Sequence, residues 1–230
     1  MTRVSSIFIA LLLLATVFVT PAEPSAITIG LLSKIIADVS KMEVGKNWLP
    51  AKKGETLSSG DRVKTGAKSV AIIKFMDNSL VRVRELSEVV VSGSLNGSDF
   101  SKSVEVRMGV IGFTVQKQRQ GEEFRFTSPT SVASIRGTGG AFNSSGVGDT
   151  LIILEGTVHF TNLQSNRSLD VAAGFTGISQ PNGSVFSRQS TPRERQEAEN
   201  ALTGDAQKTL EFELHDRDGN PKNLRIEYHD

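Results

Sequence analysis

The chain has 230 residues, with 26 lysine and arginine residues against 25 aspartate and glutamate residues, so its formal net charge is +1. This balance excludes the electrostatic footprint of a nucleic-acid-binding protein. There are no cysteines, which excludes disulfides, thiolate metal sites and cysteine nucleophiles. With 38% apolar residues, 22% charged residues and 21 glycines, the composition predicts a globular domain of strands and tight turns.

The first 22 residues are typical of an export signal. Arg3 precedes the apolar run at residues 7–19, and residues 20–22 offer small side chains for cleavage between Ala22 and Glu23. As a helix this run spans roughly 20 Å, short of the ~30 Å hydrocarbon core, which favours a cleaved signal peptide over an uncleaved N-terminal anchor. We therefore expect a periplasmic or secreted chain, attached to the membrane only if the segment is uncleaved. Few residues precede the apolar run, so no cytoplasmic domain is expected.

Short apolar runs alternate with turn residues from about residue 34 to residue 179. In residues 80–84, Val81 and Val83 share one face of a predicted strand while Arg82 and Arg84 share the other. Residues 151–154 (LIIL) form a continuous apolar run, which predicts a strand covered on both faces. Predicted strands begin about every ten residues, a spacing typical of all-β folds. The fold class is therefore all-β, either a short-stranded, solenoid-like β-roll or a sandwich.

Residues 180–230 predict a linker, a short helix and a terminal β-hairpin. Thr191 and Pro192 suit the N-cap and the first position of a helix that Gly204 would end. Residues 209–214 and 224–228 then alternate apolar and polar side chains, which indicates two paired strands. We expect this hairpin to dock on the main body, since two strands alone are marginally stable.

The sequence predicts no catalytic residue, no cofactor site and no metal site. His159, His215 and His229 are dispersed, and their spacing does not suggest zinc ligands. We expect His159 to face solvent, because it lies between Val158 and Phe160 in an alternating segment. An enzyme would need clustered carboxylates, and no spacing in the sequence nominates them.

A series of short motifs follows in a particular order along the chain. They are Trp48, the segment GETLSSGDRVKTG at residues 54–66, the turn Asp77, Asn78 and Ser79, the pair Ser128 and Pro129, the segment IRGT at residues 135–138, the segment LEGTV at residues 154–158, and Gly174. This order resembles the FecR domain, a bacterial extracytoplasmic module, over about residues 34–179. Singly the motifs are weak, but together they make a fairly specific match.

The resemblance implies a set of motif residues that we expect to be structural: Gly60, Asp61, Thr65, Asp77, Ser79, Arg136, Gly137, Thr138, Glu155, Gly156 and Gly174. The glycines would form turns that a Cβ disfavours. Asp61 and Asp77 would close Asx-turns with the backbone two residues on. We expect Arg136 to bond neighbouring carbonyls or pair with Glu155 rather than contact a ligand. We expect Trp48 and the phenylalanines to lie in the core rather than to form a sugar platform.

The resemblance also implies a function. The namesake of the family is a sigma-factor regulator with a cytoplasmic segment, one membrane span and an external domain read by an outer-membrane transporter. Because we expect no cytoplasmic segment in this chain, we do not expect it to touch a sigma factor. The predicted function is a non-enzymatic binding or sensory module in cell-surface signalling, which engages an envelope protein through strand edges or turn faces. The alternative is a carbohydrate-binding module for peptidoglycan or surface glycan.

Overall fold

The computed structural model describes residues 27–96, 99–203, 208–215 and 221–228. The predicted signal peptide, its cleavage point between Ala22 and Glu23, and Gly204 lie outside these residues. Within the described ranges, no helix is both long and apolar enough to cross a lipid bilayer.

Seventeen strands form one hydrogen-bonded sheet that folds into two facing layers. Across layer 1 the order is β4 (Thr56–Ser58), β1 (Thr28–Ile36), β6 (Val70–Phe75), β7 (Leu80–Val83), the end of β9 (Asp99–Val115), β12 (Thr138–Ser145), β13 (Gly148–Glu155), β16 (Phe175–Ser179) and β17 (Val185–Gln189). Across layer 2 it is β3 (Leu49–Pro50), β2 (Val39–Met42), β5 (Arg62–Thr65), β8 (Glu88–Asn96), the start of β9, β10 (Glu123–Thr127), β11 (Ser131–Ile135), β14 (Thr157–Asn162) and β15 (Ser168–Ala172).

The long strand β9 joins the two layers. Its residues 99–108 pair with β8 in layer 2, and its residues from Gly109 onward pair with β12 in layer 1. After β9 the hairpins alternate between layers: β10–β11 in layer 2, β12–β13 in layer 1, β14–β15 in layer 2 and β16–β17 in layer 1. The all-β prediction is confirmed, and the fold combines a sandwich core with a solenoid-like alternation. The strands run from Thr28 to Gln189, beyond the predicted limits of 34–179.

Phenylalanines from both layers meet in the core. The ring centroids of Phe75 and Phe124 are 4.9 Å apart, and those of Phe113 and Phe126 are 4.7 Å apart. All four side chains are buried. Burying one such ring contributes about 1.5–3 kcal/mol, so this stack is a main reason why the two layers stay together.

The helix α1 (Pro192–Leu202) covers part of the outer face of layer 1. Its N-terminus forms a capping box in which Thr191 and Glu194 exchange hydrogen bonds. Ala198 and Ala201 pack against Ala141 and Ile152. The strand at residues 151–154 is therefore covered on both faces, as its continuous apolar run predicts.

Glu194 also fastens α1 to the neighbouring strand β17. Arg188 donates to both carboxylate oxygens of Glu194, at 2.8 and 2.6 Å. Hydrogen bonds from Arg188 and from Thr191 lower the pKa of Glu194 to about 2. The charged contact is thus present above the ordinary carboxyl pKa and is lost only as the pH falls through about 2.

Gly112 on β9 allows α1 to approach layer 1 closely, because a Cβ there would lie 2.0 Å from the carbonyl oxygen of Ala201. We expect Gly112→Ala to push α1 off the sheet and to speed amide hydrogen exchange in α1 roughly tenfold. Gly139→Ala is the matched control, since its Cβ would meet no atom closer than 3.8 Å. Equal exchange rates in the two variants would contradict the close packing of α1.

The chain ends in a β-hairpin of β18 (Lys208–His215) and β19 (Pro221–Tyr228). The two strands are antiparallel, with Leu210 opposite Ile226. The predicted helix and hairpin are both confirmed. That the hairpin docks on the main body stays a prediction.

Candidate functional site

Asp77 forms the centre of a polar network at one end of the sandwich. One carboxylate oxygen accepts from the Ser79 amide at 3.0 Å, which is the expected Asx-turn. The other accepts from Lys102 at 2.7 Å and from the Gln118 amide nitrogen at 2.9 Å. Burial alone would raise the pKa of Asp77, but these hydrogen bonds outweigh burial and lower it.

This network ties the layers together and fixes a loop. Asp77 lies in the turn after β6 of layer 1, whereas Lys102 lies on β9 in layer 2. Gln118 belongs to the loop at residues 116–122 that links β9 to β10, and the Gln116 amide donates to the Ser79 hydroxyl at 3.0 Å. The loop is therefore anchored at two points next to Arg119.

Most other motif residues also make internal contacts. Thr65 is buried, donates to the Arg84 carbonyl and accepts from the Ser87 amide at 3.1 Å. Buried Asp61 accepts from the Ser58 amide at 2.9 Å, three residues earlier, rather than from the residue two positions on, so the predicted Asx-turn at Asp61 is wrong.

The backbone φ is positive at the turn glycines Gly60, Gly137, Gly156 and Gly174. Thr138 is buried, and its hydroxyl finds no partner among the described residues.

Arg136 differs from these motif residues. Both Arg136 and Glu155 are exposed, and neither side chain forms a hydrogen bond or ion pair within the part of the chain that the structure describes. The expected contact between the two does not form. Arg136 is therefore a motif residue whose side chain is available to a ligand.

Arg136 lines a groove on the outer face of layer 2, which we call the motif groove. Its volume is about 510 Å³, and its lining includes Arg119, Glu122, Glu123, Ser134, Arg136, Thr157, His159 and Asp170. Strand register places Ser134 opposite His159 and His159 opposite Asp170. The floor is thus a row of polar side chains across β11, β14 and β15.

The acidic residues of the motif groove already have partners. Asp170 lies 2.8 Å from Nδ1 of the exposed His159. Glu123 accepts from the Ser134 hydroxyl at 3.3 Å and pairs with Arg125, a contact that raises the pKa of Arg125. Glu122 accepts from the Arg119 amide at 3.4 Å. Among the described residues, the guanidinium groups of Arg119 and Arg136 have no such partner.

The segment that forms most of the motif groove matches a known protein family. Residues 61–159 match the family described as FecR protein. This part of the chain is similar to a FecR domain. All the lining residues named above except Asp170 fall within the matched segment, so the groove is mainly a feature of the FecR domain itself.

Two solved structures are similar to the chain in fold. Both are crystal structures of a protein from Parabacteroides distasonis described as a "putative anti-sigma factor", with 10% and 11% sequence identity and TM-scores of 0.49 and 0.50. Each comparison covers 59% of this chain and 62% of that one, so the chain spans less than two thirds of those relatives. At such low identity the likeness concerns the fold alone. No curated protein matches the chain significantly.

A second groove lies between α1 and layer 1 of the FecR domain. Its volume is about 420 Å³, and its lining includes Arg84, Val110, Asn143, Glu197 and Asn200. Among the described residues, no group of three or more histidine, aspartate or glutamate side chains is placed to hold a metal ion. Both grooves are lined by groups suited to hydrogen bonding and ion pairing.

Trp48 lies outside the core, so the prediction of a core tryptophan is wrong. The side chain is half-buried on layer 2, where the ammonium of Lys64 lies 4.4 Å from the ring centroid and the guanidinium of Arg62 lies 5.2 Å from it. These cation–π contacts hold the ring at the surface. No local pattern predicts these contacts, because the two cations and the ring are brought together by the pairing of β2 with β3 and with β5.

Proposed function

We propose that this chain is an exported, non-enzymatic binding or sensory module that acts at the bacterial cell envelope through a protein partner. The FecR domain and the leader-like residues 7–19 support this proposal. The partner would engage the motif groove, and signalling at the cell surface is the process that the family resemblance suggests.

The observation that carries the proposal is the exposed, unpartnered Arg136 in the motif groove. Asp61 and Asp77, two other charged motif residues inside the FecR match, have contacts that explain them within the fold, whereas the side chains of Arg136 and Glu155 have none among the described residues. An open groove with a polar floor suits a protein surface, because polar groups in an interface set orientation and specificity. The groove also ends at β15, the outermost strand of layer 2, so a partner strand could approach there.

The proposal is tested by photo-cross-linking in living cells. A photoreactive amino acid at Ser134, on the groove floor, is expected to give a discrete adduct with one envelope protein. The same amino acid at the exposed position Lys53 serves as the control. Arg136→Glu should abolish the Ser134 adduct by reversing the charge beside it. The absence of an adduct specific to position 134 would refute the proposal.

Carbohydrate binding is the second candidate function, and Trp48 is the observation that favours it. A surface tryptophan flanked by cations is able to stack on a sugar ring. Sedimentation with purified cell wall separates the two functions. A glycan-binding module would pellet with the wall and lose this retention on Trp48→Ala, whereas a module for a protein partner would stay in the supernatant.

A further inference from the structure

We propose that Arg119 and Arg136 form a carboxylate-binding pair that recognises an acidic segment of the partner protein. This inference rests on the proposed function and adds the chemistry of the partner. Both side chains line the motif groove.

The two arginines come from different turns that touch each other. A Cβ on Gly137 would lie 3.2 Å from Cα of Lys117, so the turn that carries Arg136 packs directly on the loop that carries Arg119. The hydrogen bond from Gln118 to Asp77 anchors that loop. The turn that carries Arg136 also packs against Gly156, because a Cβ on Gly156 would lie 2.8 Å from the Gly137 carbonyl oxygen. Both arginines are therefore presented from fixed backbone.

Of the charged side chains that line the groove, the two arginines are the ones without a contact among the described residues. Glu122, Glu123 and Asp170 each accept a hydrogen bond or ion pair from a neighbour within the protein. The guanidinium groups of Arg119 and Arg136 bond to no described residue. A guanidinium presents a planar fork of donors that matches a carboxylate, and such charge-assisted pairs are stronger than neutral ones. A basic segment would repel both groups, and an uncharged segment would offer them only the weaker, neutral acceptors.

The floor of the groove favours an extended segment over a bulky ligand. Ser134 and Thr157 are small polar residues on neighbouring strands of the sheet. Alternate side chains of an extended peptide point to the same face. A segment with a glutamate or aspartate at every second position would therefore present its carboxylates on one face, which can lie toward the groove and its two arginines.

The test measures the fluorescence anisotropy of a fluorescein-labelled peptide of alternating glutamate and threonine, titrated with the purified full chain at low ionic strength. We expect binding, and we expect each of Arg119→Ala and Arg136→Ala to weaken it about fivefold and the double variant about twentyfold. The glutamine–threonine peptide should not bind. Added salt should weaken binding of the acidic peptide, since these charges are solvent-exposed.

The double variant Lys52→Ala/Lys53→Ala is the matched control, because it removes two exposed positive charges at another place. Failure of the acidic peptide to bind, or an equal loss in both double variants, would overturn the inference. Loss of cell-wall sedimentation in the arginine variant, without peptide binding, would instead assign the pair to an anionic glycan. A specific cross-link from position 134 combined with no peptide binding would refute this inference alone and would still support the proposed function.

Discussion

Replacing Gly156 by alanine is expected to cost about 3 kcal/mol of folding stability, whereas the same change at Gly174 should cost about 1 kcal/mol. Their φ angles are nearly equal, at 84° and 82°, so the conformational cost of a side chain is similar at both positions. Only at Gly156 would the new Cβ also overlap its surroundings, 2.4 Å from Cγ2 of Thr138 and 2.8 Å from the Gly137 carbonyl oxygen. At Gly174 no atom lies within 4 Å of the Cβ position.

Urea denaturation of the two variants measures this difference. The midpoint should fall in both, and clearly further for Gly156→Ala, with little change in the slope of the transition. Because Gly174→Ala has the same backbone cost, the difference between the variants isolates the packing of the Gly156 turn against the turn of Arg136. Equal midpoints would show that the two turns do not pack as closely as described.

Removing the Asp77 carboxylate is expected to be the most damaging single change in the polar network, at about 3–5 kcal/mol. The Lys102 side chain is only 2% exposed, against 19% for Asp77. Asp77→Ala would therefore leave a buried, unpaired ammonium. Lys102→Met should cost less, roughly 1–2 kcal/mol, because Asp77 is closer to water and keeps its bonds to Gln118 and Ser79.

Thermal and urea unfolding at several pH values test this ranking. The pKa of Asp77 is lowered in the folded protein, so its contribution is present above its ordinary pKa and is lost as the pH falls through the lowered value. The gap between the wild type and Asp77→Ala should accordingly narrow in strong acid. Arg193→Ala, which breaks an exposed ion pair with Glu197, is the control and should change stability by less than about 0.5 kcal/mol. A Lys102→Met variant less stable than Asp77→Ala would contradict the argument.

Local patterns in the sequence predict the strands, the helix cap and the covering of β13. The alternation of Val81 and Val83 with Arg82 depends only on neighbouring residues, and both valines are buried. Thr191 and Pro192 begin α1 as expected. In each case the interaction joins residues that are close in sequence, so a short stretch of sequence is enough to predict it.

The layer order and the motif groove depend on contacts between distant residues. Lys102 and Asp77 are 25 residues apart, and nothing in the local pattern around Lys102 marks it as buried. The groove brings together Arg119, Arg136 and Asp170 from three separate turns and strands. Arg136 is expected to be a scaffold residue because a guanidinium beside a turn usually bonds nearby carbonyls. Only the geometry shows that its side chain is exposed.

The central claim is that the chain binds an envelope protein through the motif groove. Once the partner is identified by its cross-link to position 134, isothermal titration calorimetry with the purified proteins tests this directly. We expect one binding site per chain, an affinity at least about tenfold weaker for Arg136→Glu, and an unchanged affinity for Arg167→Glu, which reverses an exposed charge outside the groove. An affinity of Arg136→Glu equal to that of the wild type would contradict it.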